Sequence, residues 1–256
     1  MSRPLSARSI IASTLLGTLP PMLPSRLLVA FTAQFGVSEG ATRVALSRMI
    51  ERGELTKRDG SYALTGPLLD RQQRQEAGLT PAMRPWDGRW ELYVLRPGGR
   101  RGRDRAALRQ AFAHLGLGER REGTWLRPHN LDPRRLPPDR EVVHAQADRF
   151  VAAADADAQE LVGAVFDLEG WSSRTHVLRR HMTDLLDQLD RGDQAALAPG
   201  FTVAAAVLRH LVSDPLLPEE IAPTGWPASE LRADYAVYDR SYRAVLAGFF
   251  ADQRRS

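Results

Sequence analysis

Arg43 and Ser47 lie one helical turn apart in the run Ser38-Glu39-Gly40-Ala41-Thr42-Arg43-Val44-Ala45-Leu46-Ser47-Arg48-Met49. On a wheel of about 100° per residue, Thr42, Ala45, Leu46 and Met49 gather on one side. Gly40, Arg43 and Ser47 fall opposite. One face can pack while the other offers a guanidinium and a hydroxyl. Arginine can donate two parallel hydrogen bonds to guanine O6 and N7. Arg43 sits in the first half of the helix, the part that meets base edges in the major groove. Ser38 and the free N–H groups behind it suit a phosphate. Arg48 and Arg52 flank the packed side on another edge. The competing reading of each arginine is a solvated surface charge.

Such a helix needs a platform, and the neighbouring sequence predicts one. Leu27, Leu28, Ala30 and Phe31 predict a short apolar helix before it. Gly36, in Phe35-Gly36-Val37-Ser38, permits a tight turn. Ser38 is a good N-cap for a helix running to about Arg52, and Gly53 ends it. Two helices across a short Gly-containing turn are a helix-turn-helix unit. Next, Leu55–Leu64 reads as two short strands around Asp59-Gly60, a hairpin signal. Lys57 and Arg58 fall near its tip, where a wing reaches the DNA backbone. Thr65 can cap a following helix, Leu68–Gln75. The order helix, helix, turn, helix, hairpin predicts a winged helix-turn-helix over residues 1–78.

Catalysis finds little footing. The histidines at 114, 129, 144, 176, 181 and 210 are scattered, and His176 and His181 are spaced wrongly for zinc on one helix. No GxSxG, Walker loop or GxGxxG before a helix occurs. No catalytic residue, metal ligand or cofactor is expected, and the chain reads as a non-enzyme. Cysteine is absent, which excludes disulfides and fits a reducing, cytoplasmic setting. No run approaches the ~20 apolar residues of a membrane span, and the N-terminus lacks a secretory pattern.

Charge divides the chain of 256 residues unevenly. Residues up to Arg84 carry a net +5, Trp86–Phe150 another +5, and Val151 onward −6. The first two thirds can face a polyanion and the last third cannot easily do so. After a linker at 79–85, residues 86–150 alternate strands with a helix: strands at Trp90–Leu95, Thr124–Arg127 and Val142–Ala147, and a helix at Asp104–Leu115 stopped by Gly116 and Gly118. Gly98–Gly102 reads as a basic flexible loop. Residues 151–256 are helical, broken at Gly192, Pro199-Gly200 and a proline cluster from Pro215 to Pro227. Two stripes recur there at 4-3 spacing: Trp171, Thr175, Leu178, Met182, Leu185, Leu189, and Leu231, Tyr235, Tyr238, Tyr242, Val245, Phe249. They suit packing inside a helical domain or a dimer seam. The fold class is therefore multidomain α+β.

The run Gly36–Met49 resembles the recognition helix of the PaaX-like family, regulators of phenylacetate catabolism. Trp86-Asp87-Gly88-Arg89-Trp90 and Gly123-Thr124-Trp125-Leu126-Arg127-Pro128 resemble segments of that family's middle domain. Asp214-Pro215-Leu216-Leu217-Pro218 with Gly225-Trp226-Pro227 resembles its C-terminal signature. The resemblance implies a homodimeric repressor of three parts: the winged helix, a ferredoxin-like (Cas2-like) middle domain and an all-α effector domain. It implies binding to a double-stranded DNA operator and release by phenylacetyl-CoA or a related acyl-CoA. Trp171 with Arg174, Arg179, Arg180 and Arg209 could then hold the effector, arginines meeting its phosphates. Aromatic surface for its ring could also come from Phe201, Trp226 and the tyrosines.

Departures bear on the ligand. Arg96-Pro97-Gly98-Gly99-Arg100-Arg101 stands where relatives carry a Pro-Glu turn. The apolar Val203–Leu208, leaving Arg209 and His210, replaces a polar stretch. These departures leave open an effector other than phenylacetyl-CoA. Two other functions remain open: a nucleic-acid-processing enzyme cutting with its Cas2-like domain, and a winged-helix protein-docking adaptor. Against the first, Leu95-Arg96 stands where a carboxylate would end the first strand.

Overall fold

The computed structural model describes residues 5–18, 20–98 and 102–255. Gly99, Arg100 and Arg101 of the basic loop lie outside the described residues. The chain divides into two compact units. One comprises residues up to 72 with 180–206 and 234 onward; the other comprises 73–179 and 207–233.

The first unit begins with α1 (Ala7–Leu16), β1 (Met22–Pro24), α2 (Ser25–Ala33) and α3 (Glu39–Glu51). Strands β2 (Leu55–Arg58) and β3 (Ser61–Leu64) follow; α4 (Pro67–Leu79) starts in this unit and ends in the other. Ile10, Ile11 and Leu15 of α1, Leu27, Leu28 and Phe31 of α2, and Leu46 and Met49 of α3 are buried, as their helical spacing requires. The three strands form an antiparallel sheet in the order β1-β3-β2. Asp59 and Gly60 turn the hairpin with φ of 47° and 76°, the left-handed pair that suits the twist of two flanking strands. Strand β1 leaves no alternation in the sequence. It is three residues bounded by prolines, and its pairing with β3 creates it. Helix α4 starts at Pro67 and runs to Leu79, past the expected Gln75. Gly78 stays helical because its missing Cβ admits the Leu211 backbone; an added Cβ would sit 3.2 Å from that carbonyl.

The second unit is built on β4 (Arg89–Leu95), α5 (Gly102–His114), β5 (Gly118–Arg121), β6 (Thr124–Pro128), α6 (Pro137–His144) and β7 (Ala147–Ala153). Its sheet is antiparallel in the order β5-β6-β4-β7, the β-α-β-β-α-β arrangement of ferredoxin-like folds. The pleat sorts the side chains. Tyr93 and Trp125 join Leu108, Phe112 and Val143 under α5 and α6. Trp90 and Leu126 join Val162, Leu217 and Ile221 on the opposite face. Val162 belongs to α7 (Ala158–Val165).

One expected strand is corrected. Val142–Ala147 lies in the end of α6 and the turn after it, and the strand begins only at Ala147. The adjacent valines suggested extended chain. Pro137-Pro138 instead open a helix, where a proline N–H is not needed, and Val143 is buried on its inner side. The polar edge strand β5 carries no apolar alternation and was invisible for that reason.

Helices α8 (Leu168–Asp190), α9 (Leu197–Val212) and α10 (Ala228–Arg255) contribute to both units. Pro199-Gly200 does not break a helix; it lies in the first turn of α9. There Gly200 lets the Tyr242 ring and the Tyr238 hydroxyl approach to about 3 Å of where a Cβ would stand. Most of both 4-3 stripes is buried within the chain, so they serve its own core rather than a dimer seam. Gln194–Val212 is long and apolar enough to cross a membrane by length and composition, a correction to the sequence reading. Leu197, Phe201, Val207 and Leu211 of this segment are buried against the rest of the protein.

Candidate nucleic-acid interface

Helix α3 presents its outer face as its spacing predicts. Thr42, Leu46 and Met49 are buried, whereas Arg43, Ser47, Arg48 and Arg52 are exposed. The platform is a buried hydroxyl pair, Thr32 Oγ1 to Thr42 Oγ1 at 2.7 Å, joining α2 to α3 across the turn. Gly36, at φ 72°, makes that turn. The Ser38 side chain accepts the Ala41 amide at 3.3 Å and caps the helix. The Arg43 guanidinium donates to Glu39 Oε1 at 2.6 and 2.8 Å. Both side chains are solvated, and a pair of this kind is worth about 0.3–0.5 kcal/mol. A stronger acceptor can therefore take Arg43 from Glu39 at little cost.

Behind α3, Arg8 of α1 donates to both oxygens of Glu54, at 2.8 and 2.9 Å, and fixes the residue that opens the hairpin. Lys57 extends over the Tyr62 ring with its ammonium 5.6 Å from the centroid, a cation–π contact that aligns the stem and leaves the charge in water. Arg58 is exposed beside it. The arrangement is an exposed helix with a cationic face next to a hairpin with a cationic tip.

The ferredoxin-like domain carries a constellation that the sequence did not reveal. Glu91, only 2% exposed, faces the helix-covered side of β4. It accepts from Arg149 Nε at 2.6 Å and from Tyr93 Oη at 3.1 Å, and pairs with Arg140 at 3.4 Å. Arg127 stands opposite it across the β4–β6 ladder. Burial raises the Glu91 pKa, but these arginines outweigh it and hold the carboxyl at about 2. Burial and Glu91 push Tyr93 up to about 12. Arg127, wholly buried, is pushed down to about 9 by desolvation. Each of its three nitrogens donates: to Leu115 O at 2.7 Å, Pro128 O at 2.9 Å and Asn130 Oδ1 at 2.7 Å. A carboxylate saturated by arginines is a structural anion, not a free base or metal ligand. Among the described residues no group of three or more His, Asp or Glu could hold a metal ion.

Residues 6–68 match the family described as PaaX-like protein, and residues 83–160 match the PaaX protein central Cas2-like domain. The solved structure of Rv0674, an uncharacterized protein from Mycobacterium tuberculosis, is 36% identical. The alignment covers 95% of this chain and 98% of that one, with a TM-score of 0.71. The chain belongs to the PaaX-like family. No curated protein matches it. The PaaX-like family is one of transcriptional regulators, and the domain built on β4–β7 is its Cas2-like centre.

In this PaaX-like protein the C-terminal signature is a joint. Asp214 Oδ1 accepts the Leu216 amide at 2.9 Å and holds Leu216 at a left-handed φ of 53°. Asp214 Oδ2 accepts from Arg232 at 2.6 Å, and Arg232 also donates to Gly78 O at 2.9 Å. The Leu216 carbonyl accepts from Asn130, which is bonded to Arg127. The motif thus ties the end of α4 and the start of α10 to the central domain.

The residues expected to hold an effector are only partly gathered. Trp171 stacks between His210, at 4.4 Å, and Trp226, at 4.7 Å. Both indole N–H groups are buried without a hydrogen-bond partner. Arg174 is exposed and close enough to depress the His210 pKa. Arg180 and Arg209 are exposed and Arg179 is half-buried. A cleft of about 340 Å³ beside Trp226 is lined by Glu169, Ser172, Ser173 and Thr224, with no arginine among its walls. Phe201 is spent on Phe31 and Phe35. The Tyr238 and Tyr242 hydroxyls donate to the Gly200 and Leu197 carbonyls.

His210 supplies a pH test. Its Nε2 lies 2.9 Å from Thr175 Oγ1 and 3.1 Å from the Trp171 carbonyl. Burial lowers its pKa; the Trp171 carbonyl opposes that and Arg174 adds to it. With the folded pKa below the unfolded value of about 6.5, the unfolded chain binds the extra proton as pH falls past that value. Stability contributed by neutral His210 is then lost. Wild type should lose more thermal stability between pH 7.5 and 5.5 than His210→Gln. Equal losses would contradict the assignment.

Proposed function

We propose that this protein is a sequence-specific, DNA-binding transcriptional regulator that grips its operator through an N-terminal winged helix-turn-helix. The reading rests above all on the outer face of α3. Arg43 and Ser47 stand exposed on a helix capped by Ser38, beside a hairpin tipped by Lys57 and Arg58. Helix α3 enters the major groove, Arg43 reads guanine, and the hairpin is the wing on the neighbouring phosphates. A single module makes few base contacts. Two copies therefore bind half-sites about one helical turn apart, or a multiple of it. Membership of a regulator family supports the same function. The protein acts as a cytoplasmic repressor that a small aromatic acyl ligand releases. The ligand must favour the DNA-free form, because equal affinity for both forms shifts nothing.

The test is a mobility shift with the region upstream of the protein's own gene. A complex that survives excess random DNA supports the proposal. Loss of the complex at equal random competitor refutes sequence specificity. The wing is tested by salt. Lys57→Ala and Arg58→Ala should each reduce the slope of log affinity against log salt by about one. An unchanged slope would remove the hairpin from the interface.

A further inference from the structure

Helix α3 carries two residues that a free helix does not favour, on the strip between Arg43 and Arg48. Val44 is 51% exposed, although it stands in the middle of the helix. On the helical wheel it falls between Ser47 and Arg48, near the centre of the outer face. Gly40 lies one turn before it on the same strip and is exposed as well. Valine loses side-chain freedom in a helix and glycine loses backbone freedom, so both form helix less readily than alanine. Packing within the chain compensates neither. Val44 leaves half its surface in water, and a Cβ added to Gly40 would meet no atom within 4 Å. Gly40 also lacks the positive φ that makes glycine necessary in a turn. A glycine that no turn requires, followed one turn later by a bare apolar side chain, suits close approach by something outside the chain. Ile50, the other large apolar side chain exposed on α3, lies near the C-terminal end, outside the half that meets base edges. Charge around the strip points to the occupant. Arg43 and Arg48 flank it, Glu39 is paired with Arg43, and Glu51 stands about two turns beyond Val44. In the major groove of DNA the apolar feature is the C5-methyl group of thymine.

We propose that Val44 packs on the C5-methyl of a thymine neighbouring the guanine that Arg43 reads, and that Gly40 lets the helix come close enough to reach it. The proposal deepens the DNA-binding reading above and rests on it. The probe is the duplex that gives the specific mobility shift, with single thymines replaced by deoxyuridine. That change removes one methyl group and keeps every hydrogen-bonding group of the base. One such replacement in a half-site should weaken wild type about fourfold, the worth of one methyl-sized apolar contact. Val44→Ala should bind the unmodified duplex at least about fourfold more weakly. It should lose nothing further at that thymine, because both changes remove the same contact. Gly40→Ala should weaken specific binding several-fold, since its new methyl group fills the space through which the DNA approaches. Both variants should melt at or above the wild-type temperature, because alanine favours the helix. A weaker complex then cannot be ascribed to unfolding. The contact is overturned if no deoxyuridine weakens wild type by more than about 1.5-fold, or if its loss and that of Val44→Ala multiply in full. Gly40→Ala binding like wild type would overturn the close approach. A lowered melting temperature in either variant would give the strip a role in the protein's own packing and overturn the inference. A wild type that forms no specific complex with unmodified DNA would instead refute the DNA-binding reading itself.

Discussion

Glu91→Gln is expected to destabilise the central domain by about 3–5 kcal/mol, the cost of removing one partner from a buried ion cluster. The carboxylate is almost wholly buried with Arg149, Arg140 and Arg127 around it. Removing its charge leaves those guanidinium groups to repel one another, two of them, Arg127 and Arg140, buried from water. The amide keeps the shape and can still accept from Arg149, so a cavity cannot explain the loss. The pH dependence gives a second readout. Glu91 has a folded pKa of about 2 against an ordinary 4.5. Its contribution is therefore complete above about pH 4.5 and is lost as pH falls through the folded value. Urea unfolding of wild type and variant should differ most near neutrality and converge toward pH 2. A loss under about 1 kcal/mol at pH 7, or a gap that does not shrink in acid, would mean that the cluster stabilises nothing.

Arg43→Ala is expected to cost about 1–3 kcal/mol on the specific site, roughly 5- to 150-fold in affinity, and little on random DNA. The direction follows from Glu39. In the free protein the guanidinium rests on Glu39 at 2.6 Å. Both groups are solvated, so the pair adds little stability and Arg43 leaves it readily for a guanine edge. Glu39→Gln is the informative companion. It removes the resting partner and a negative charge from the outer face of α3, and should tighten binding to every DNA. Quantitative mobility shifts with specific and random duplexes separate the cases. Equal losses of Arg43→Ala on both would reduce Arg43 to a phosphate contact. A loss in Glu39→Gln matching that of Arg43→Ala would make the ion pair, not the base contact, the source of the effect.

Much of the first unit was legible because its determinants are local. The 3.6-residue spacing of Thr42, Leu46 and Met49 sets the buried side of α3, Ser38 starts the helix, and Asp59-Gly60 admits the backbone angles of a hairpin turn. The family was legible for a related reason: its signatures are contiguous runs. Non-local elements were not legible. Strand β1 exists by pairing with β3, and β5 by pairing with β6. Val142-Val143 resembled a strand until Pro137-Pro138 started a helix that buries Val143. The Glu91 cluster draws on β4, β6, α6 and β7, so no spacing in the sequence predicts it. Likewise, Trp171 carried the right chemistry for a ligand, but its stacking against His210 and Trp226, in a cleft without a cation, was decided by tertiary packing. Periodicity and caps are written in neighbouring residues. Charge pairs, sheet edges and clefts arise only when distant segments are brought together, and their energies depend on how far that packing excludes water.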